Sequence, residues 1–139
     1  APFQMSPVFP FRSIGLLRMA LKAQEWDVFD RYHDAIFQAA WAEGQDMNDE
    51  KVLLDILEDA GLDAQGIIQG AKEEAIKEKL KTETQRAADE GAFGVPIFFV
   101  DGELYGGQDH LLLLEHDLVQ RSKGPDKAPP DPISLGVEP

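Results

Sequence analysis

Two dipeptides in the last third of the chain, Val95-Pro96 and Gln108-Asp109, have the residue types to hold a ligand. An X-Pro bond adopts the cis form at modest cost. A cis bond at Val95-Pro96 turns the Val95 N–H and C=O away from a sheet ladder. Those groups can then pair with an extended, peptide-like ligand, as a neighbouring strand would. The same proline also fits a purely local role, shaping the start of a strand. Gln108-Asp109 follows Gly106-Gly107 and opens a Leu-rich stretch. Backbone N–H groups at a helix start favour an anion, and the Asp109 carboxylate can accept from an adjacent ammonium. An acidic residue there equally fits plain stabilisation of the helix start.

Other reactive side chains are sparse. Arg12 can meet an acidic substrate or simply lie on the surface. His110, Glu115 and His116 do not match H-E-x-x-H or its inverted form, so no metal site is expected. His33 falls at helical spacing among aromatic residues and is expected as a packed histidine rather than a catalyst. The chain has no cysteine. These residues therefore supply neither a disulfide nor thiolate redox chemistry.

The elements that must position the two dipeptides can be read around them. Gly91 fits a helix C-cap. Residues 97–100 form a short β-prone apolar run, Asp101-Gly102 suits a two-residue type I′ turn, and residues 103–105 return as a second strand. Gly106-Gly107 breaks that strand before a helix over 108–121. The pattern is helix, Pro-led hairpin, helix. Upstream, residues 3–5 suit a short strand and residues 7–10 a linker. Ser13 is a candidate N-cap for a helix to about residue 24. A helix over 26–43 places Trp26, Phe29, His33, Ile36, Phe37, Ala40 and Trp41 on one face, expected as core. Asn48 can cap a helix over 49–60, with Val52, Leu53, Ile56 and Leu57 inward. Asp63 can cap a short segment through Ile67-Ile68. A helix over 71–90 has a thin seam of Ile76, Leu80, Ala87 and Ala88 between solvated charges. Leu111 to Leu114 cover more than one face of the last helix, which is expected to be well buried. Residues 122–139 are proline-rich and are expected to be an extended, partly disordered tail.

The length of 139 residues suits one domain with a real core. A formal net charge of −13 argues against nucleic acid, which needs clustered Lys and Arg to displace counterions, and against anionic membrane surfaces. No apolar run is long enough to span a membrane. None of this excludes a small anionic ligand, because a helix terminus acts at contact range.

The run G-x-F-G-V-P-x-F-x-V-D-G-E-L-x-x-G-Q-D over residues 91–109 is very similar to the 2-hydroxychromene-2-carboxylate isomerases. Those group with the kappa-class glutathione transferases and the DsbA oxidoreductases. Pro2-Phe3, Phe9-Pro10-Phe11-Arg12-Ser13 and Leu17-Arg18 resemble the family's second strand and the approach to its helical domain. The resemblance implies an α/β, DsbA-like thioredoxin fold that is strongly helical overall. Its parts would be the second strand and linker over 1–10, an inserted helical subdomain over 11–90, and the cis-Pro hairpin with its C-terminal helix over 91–121. It also implies glutathione as cosubstrate, with its cysteinyl part at Val95 and Pro96 and its γ-glutamyl end at Gln108 and Asp109. A small aromatic acid, met by Arg12, would be the substrate. A homodimer and a cytoplasmic location come with the resemblance.

The family's first βα unit, with its Ser-Pro-type motif, a G-N-x-P-P segment and a lysine-bearing loop, has no counterpart in these residues. Ser6-Pro7 does not replace it. No catalytic residue is therefore expected in this chain, and the unit's absence would leave unpaired strand edges able to recruit a partner. A complementing N-terminal fragment, a swapped second chain or a rearrangement of the ends would each supply it. His110 stands where the family suggests arginine, and Arg12 where many relatives have asparagine. The expectation is a glutathione-dependent isomerase adding, rotating and eliminating at an unsaturated acid. Two alternatives stand beside it. One is a DsbA-like oxidoreductase whose redox motif lies outside this sequence. The other is a non-catalytic, truncated thioredoxin-like module that oligomerises.

Overall fold

A computed structural model describes residues 2–122. It resolves into two compact units, one running to Ala87 and the other starting at Ala88. The first holds helices α1 (Ser13–Glu25), α2 (Phe29–Phe37), α3 (Glu50–Asp59) and α4 (Ala64–Gly70) and most of α5 (Glu74–Asp89). The second holds β1 (Ile97–Val100), β2 (Glu103–Gly106), a 3₁₀ turn at Gln108–His110 and α6 (Leu111–Ser122). The proline-rich stretch expected over 122–139 lies outside the described residues except for Ser122, which ends α6.

The core of the helical unit is built from Met19 and Ala23 of α1, Tyr32 and Ile36 of α2, Leu53 and Leu57 of α3, and Ile67 and Ile68 of α4. Leu57 and Ile67 are fully buried, each such side chain contributing about 1.5–3 kcal/mol relative to exposure. Two glycines let α4 approach α1. A Cβ on Gly70 would stand 2.5 Å from Lys22 Cε, and one on Gly66 2.5 Å from Trp26 Cη2. Lys22 fills that approach. Its stem is buried, its ammonium donates to Glu73 Oε2 at 3.0 Å and to Glu25 Oε2 at 3.4 Å, and it lies over the Trp26 ring. These anions, Glu73 first, raise the Lys22 pKa.

Several expectations for this unit are corrected. Residues 3–5 form no strand. Gln4 donates its N–H to the Trp41 carbonyl at 2.7 Å, and Phe3, Phe9 and Phe11 gather around the Trp41 ring. Aromatic contact with a helix, not a ladder, holds this segment, so residues 2–10 belong with the helices. The helix expected over 26–43 is interrupted. Asp27 is left-handed (φ 55), the Val28 N–H closes α1 on Ala23 O, and a π-helical turn at Gln38–Ala42 ends the stretch. This shifts the inward face to Tyr32, Ile36, Ala39 and Ala40. Phe37 is 53% exposed, and His33 stacks on it with ring centroids 4.3 Å apart. Ser13 is the first helical residue rather than a cap; Arg12 holds the cap position without a side-chain bond. Asp49, not Asn48, caps α3, through Lys51 N at 2.9 Å. Asp63 caps α4 through Gly66 N.

In the second unit, Gly91 is left-handed (φ 95) and its N–H returns to Ala88 O. The hairpin is antiparallel, with Ile97 opposite Gly106, Phe98 opposite Tyr105 and Val100 opposite Glu103. Asp101 (φ 50) and Gly102 (φ 86) both have the positive φ that a type I′ turn requires. Helix α6 is not well buried: Leu114 is buried, whereas Leu111, Leu112 and Leu113 are exposed, Leu112 to 79%. Four consecutive leucines point around the whole helix, and only one direction meets other described residues.

Candidate ligand site

The hairpin unit brings both candidate dipeptides together. The Val95–Pro96 peptide is cis. The Gly107 N–H donates to the Pro96 carbonyl at 2.8 Å, one step beyond the Ile97–Gly106 pair. The residue before Gln108 is thus bonded directly to the residue after Val95. Gly107 has φ 84 and ψ 163, a backbone region essentially reserved for glycine. Val95 is 96% exposed. Among the described residues its N–H and C=O have no hydrogen-bond partner, and neither do the side chains of Gln108 and Asp109. The two dipeptides therefore present the free Val95 N–H and C=O at one end and the free Asp109 carboxylate at the start of a helical segment at the other.

His110 sits beneath this arrangement as a brace. Its Nδ1 accepts from the Gly106 N–H at 3.2 Å, and its own N–H donates to Gly107 O at 3.3 Å. It takes up the Gly106-Gly107 break instead of projecting toward a ligand.

A second set of contacts fixes α6 to the hairpin. Tyr105 is buried at 4% exposure, and its hydroxyl donates to Asp117 Oδ2 at 2.7 Å. The Arg121 guanidinium donates to Asp101 Oδ2 at 2.8 Å and to the Tyr105 hydroxyl at 3.4 Å. The bond to Asp117 leads the causes that push the Tyr105 hydroxyl above its usual range. The bond to Asp101 likewise leads in raising Arg121. One α6 face therefore grips both the turn and the second strand. No motif in the sequence marks these residues. Their only local signal is the four-residue spacing of Asp117 and Arg121 along a helix.

Arg12 belongs to the helical unit. Its N–H donates to Asn48 Oδ1 at 2.9 Å, and its guanidinium has no partner among the described residues. No group of three or more His, Cys, Asp or Glu among the described residues is placed to hold a metal ion. None of the described helices is long and apolar enough to cross a membrane. A shallow depression in the helical unit, lined by Gln24, Asp27, Val28, Phe29, Asp30 and Arg31, includes none of the candidate residues.

A short antiparallel hairpin led by a proline and followed by a helix fits the C-terminal part of a thioredoxin-like domain. The profile of the DSBA-like thioredoxin domain matches residues 1–119. The chain is 31% identical over 100 residues to a 2-hydroxychromene-2-carboxylate isomerase of Sphingobium xenophagum, covering 72% of this chain and 51% of that protein. It is 28% identical over 113 residues to human glutathione S-transferase kappa 1, covering 76% and 50%. The solved structure of a 2-hydroxychromene-2-carboxylate isomerase superposes with a TM-score of 0.74 at 22% identity, covering 88% of this chain and 59% of that one. This chain belongs to the DsbA-like thioredoxin domain family. It spans about half the length of the curated relatives it matches.

Proposed function

We propose that this chain carries the glutathione-holding half of a glutathione-dependent isomerase of the 2-hydroxychromene-2-carboxylate isomerase type. The observation that supports the reading is the 2.8 Å bond from Gly107 N–H to Pro96 O, which brings the two dipeptides close together. Glutathione is an extended tripeptide with a peptide-like centre and a zwitterionic γ-glutamyl end. The unpaired Val95 N–H and C=O suit the cysteinyl peptide groups, as an added strand would use them. Pro96 holds that edge. The first N–H groups of the Gln108 turn suit the γ-glutamyl carboxylate, and the Asp109 carboxylate suits the ammonium beside it. Arg12 is proposed to meet the carboxylate of a small aromatic acid.

In this reading the thiolate adds to an unsaturated carbon, forming a C–S bond and moving an electron pair toward the acid's conjugated carbonyl. The former double bond rotates as a single bond. The electron pair returns, the C–S bond breaks and the thiolate leaves, with no net oxidation. Lowering the thiol pKa needs a hydrogen bond to the thiolate. No side chain of this sequence is assigned as that donor. A reduced thiol is required throughout, which suits the glutathione-poised cytoplasm.

A second copy of the chain is included as a partner. The support is the apolar surface of α6, where Leu111, Leu112, Leu118 and Val119 are all exposed, more than scattered single residues explain. The same surface favours the second reading, a non-catalytic oligomerising module.

Titration calorimetry with glutathione separates the two readings. The wild-type chain is expected to bind. Asp109→Asn is expected to weaken binding about 10- to 100-fold, the scale of losing one charged hydrogen bond. An oligomer in sedimentation with no heat of glutathione binding would leave the non-catalytic module.

A further inference from the structure

Phe93 is 81% exposed, yet its ring is located. A Cβ placed on Gly106 would stand 2.9 Å from Phe93 Cζ and 3.7 Å from both Cε atoms. Cζ leads and the two Cε atoms trail equally, so the ring meets the glycine tip-first. The end of the ring lies over Gly106, and the rest of the side chain is largely open to solvent. Gly106 lies opposite Ile97 and immediately before Gly107, whose N–H binds Pro96 O. A largely exposed aromatic ring therefore rests on Gly106, the chain neighbour of the Gly107 that is bonded to Pro96. Any side chain at position 106 would displace it.

Free aromatic faces pair with planar π-systems in offset or edge-on geometry, adding to the area they bury. The site proposed above places the cysteinyl part of glutathione at Val95, two residues from Phe93 in the chain and the most exposed large apolar side chain among the described residues of the hairpin unit. A group carried on the cysteinyl sulfur projects from that point. We propose that Phe93 is a specificity-determining residue that stacks on the planar aromatic group joined to the glutathione sulfur, selecting flat aromatic or conjugated electrophiles over aliphatic ones. This rests on the glutathione reading.

The test compares S-benzylglutathione with S-methylglutathione by titration calorimetry on the full chain. The wild type is expected to prefer the benzyl ligand by about 2- to 10-fold, the range of a single aromatic pair. Phe93→Ala should abolish that preference while leaving S-methylglutathione affinity in place, and Phe93→Tyr should retain it. Equal affinities in the wild type would overturn the role of Phe93 and leave the glutathione reading standing. An equal loss for both ligands in Phe93→Ala would make the residue structural and overturn the proposal. A changed sedimentation coefficient with an intact benzyl preference would assign Phe93 to an interface between copies and overturn it as well. Binding of neither ligand would remove both the glutathione reading and this inference.

Discussion

Gly107 and Pro96 are joined by a 2.8 Å hydrogen bond from the glycine N–H to the proline carbonyl, across a hairpin only four residues deep on each strand. The bond sets the spacing between the free Val95 N–H and C=O and the start of the Gln108 turn. Position 107 makes it with φ 84 and ψ 163. An L-residue there is strained by the backbone itself, since the nearest atom to an added Cβ is 4.0 Å away. Gly107→Ala is expected to destabilise the fold by about 1–3 kcal/mol and to lower glutathione affinity more than Gly102→Ala, which lies at the far end of the hairpin. Urea unfolding and calorimetry on the two variants check this. Equal effects on glutathione would mean that general hairpin loosening, not the Pro96 bond, was responsible.

The α1–α4 contact predicts a steric effect that differs between two glycines. An added methyl at Gly66 meets the Trp26 ring at 2.5 Å and the Asp63 carboxylate that caps the same helix. At Gly70 it meets the flexible stem of Lys22. A ring and a cap yield less readily than a methylene chain, although the Lys22 stem is itself pinned by Glu73. Gly66→Ala is expected to cost about 1–3 kcal/mol, and Gly70→Ala less. Denaturant midpoints rank the two; the reverse order would contradict the packing described.

Tyr32 makes the helical unit sensitive to alkali. It is buried at 3% exposure, and its hydroxyl donates to Leu16 O at 2.7 Å. Burial raises its pKa well above the ordinary 10.0. The fold therefore favours the protonated phenol. The contribution is whole below the unfolded-state value and is lost as pH climbs past it toward the folded value. Thermal unfolding midpoints measured from pH 8 upward are expected to fall beyond about pH 10, and to fall less steeply in Tyr32→Phe. Parallel slopes for the two proteins would assign the alkaline loss to lysines such as Lys22, whose raised pKa acts in the same direction.

Local rules located the hairpin because each of its steps is set within a few residues. Asp101-Gly102 sets the turn, Gly91 the helix end, and the Val-Pro step the start of the strand. The motif around them led to the same family that the residue 1–119 match defines. Features set by distant partners were misread. The reversal at Asp27 has no glycine to mark it, because aspartate also tolerates the left-handed region. The N-terminal aromatics alternate like a strand but pack on Trp41. The grip of Tyr105 on Asp117 joins a strand to a helix twelve residues away, which no periodicity reveals. Asn48 looked like a cap because its type is right; its carboxamide is instead taken by Arg12 N–H, and Asp49 caps one residue later.

Glutathione is proposed to bind along the edge running from Val95 to Asp109. Backbone amide chemical shifts of the isotope-labelled chain, followed during titration with reduced glutathione, test it residue by residue. Saturable shifts are expected to concentrate at Val95, Gly107, Gln108 and Asp109, with Asp101 and Gly102 at the far turn unmoved. Shifts confined to the helical unit, or none at millimolar glutathione, would contradict it.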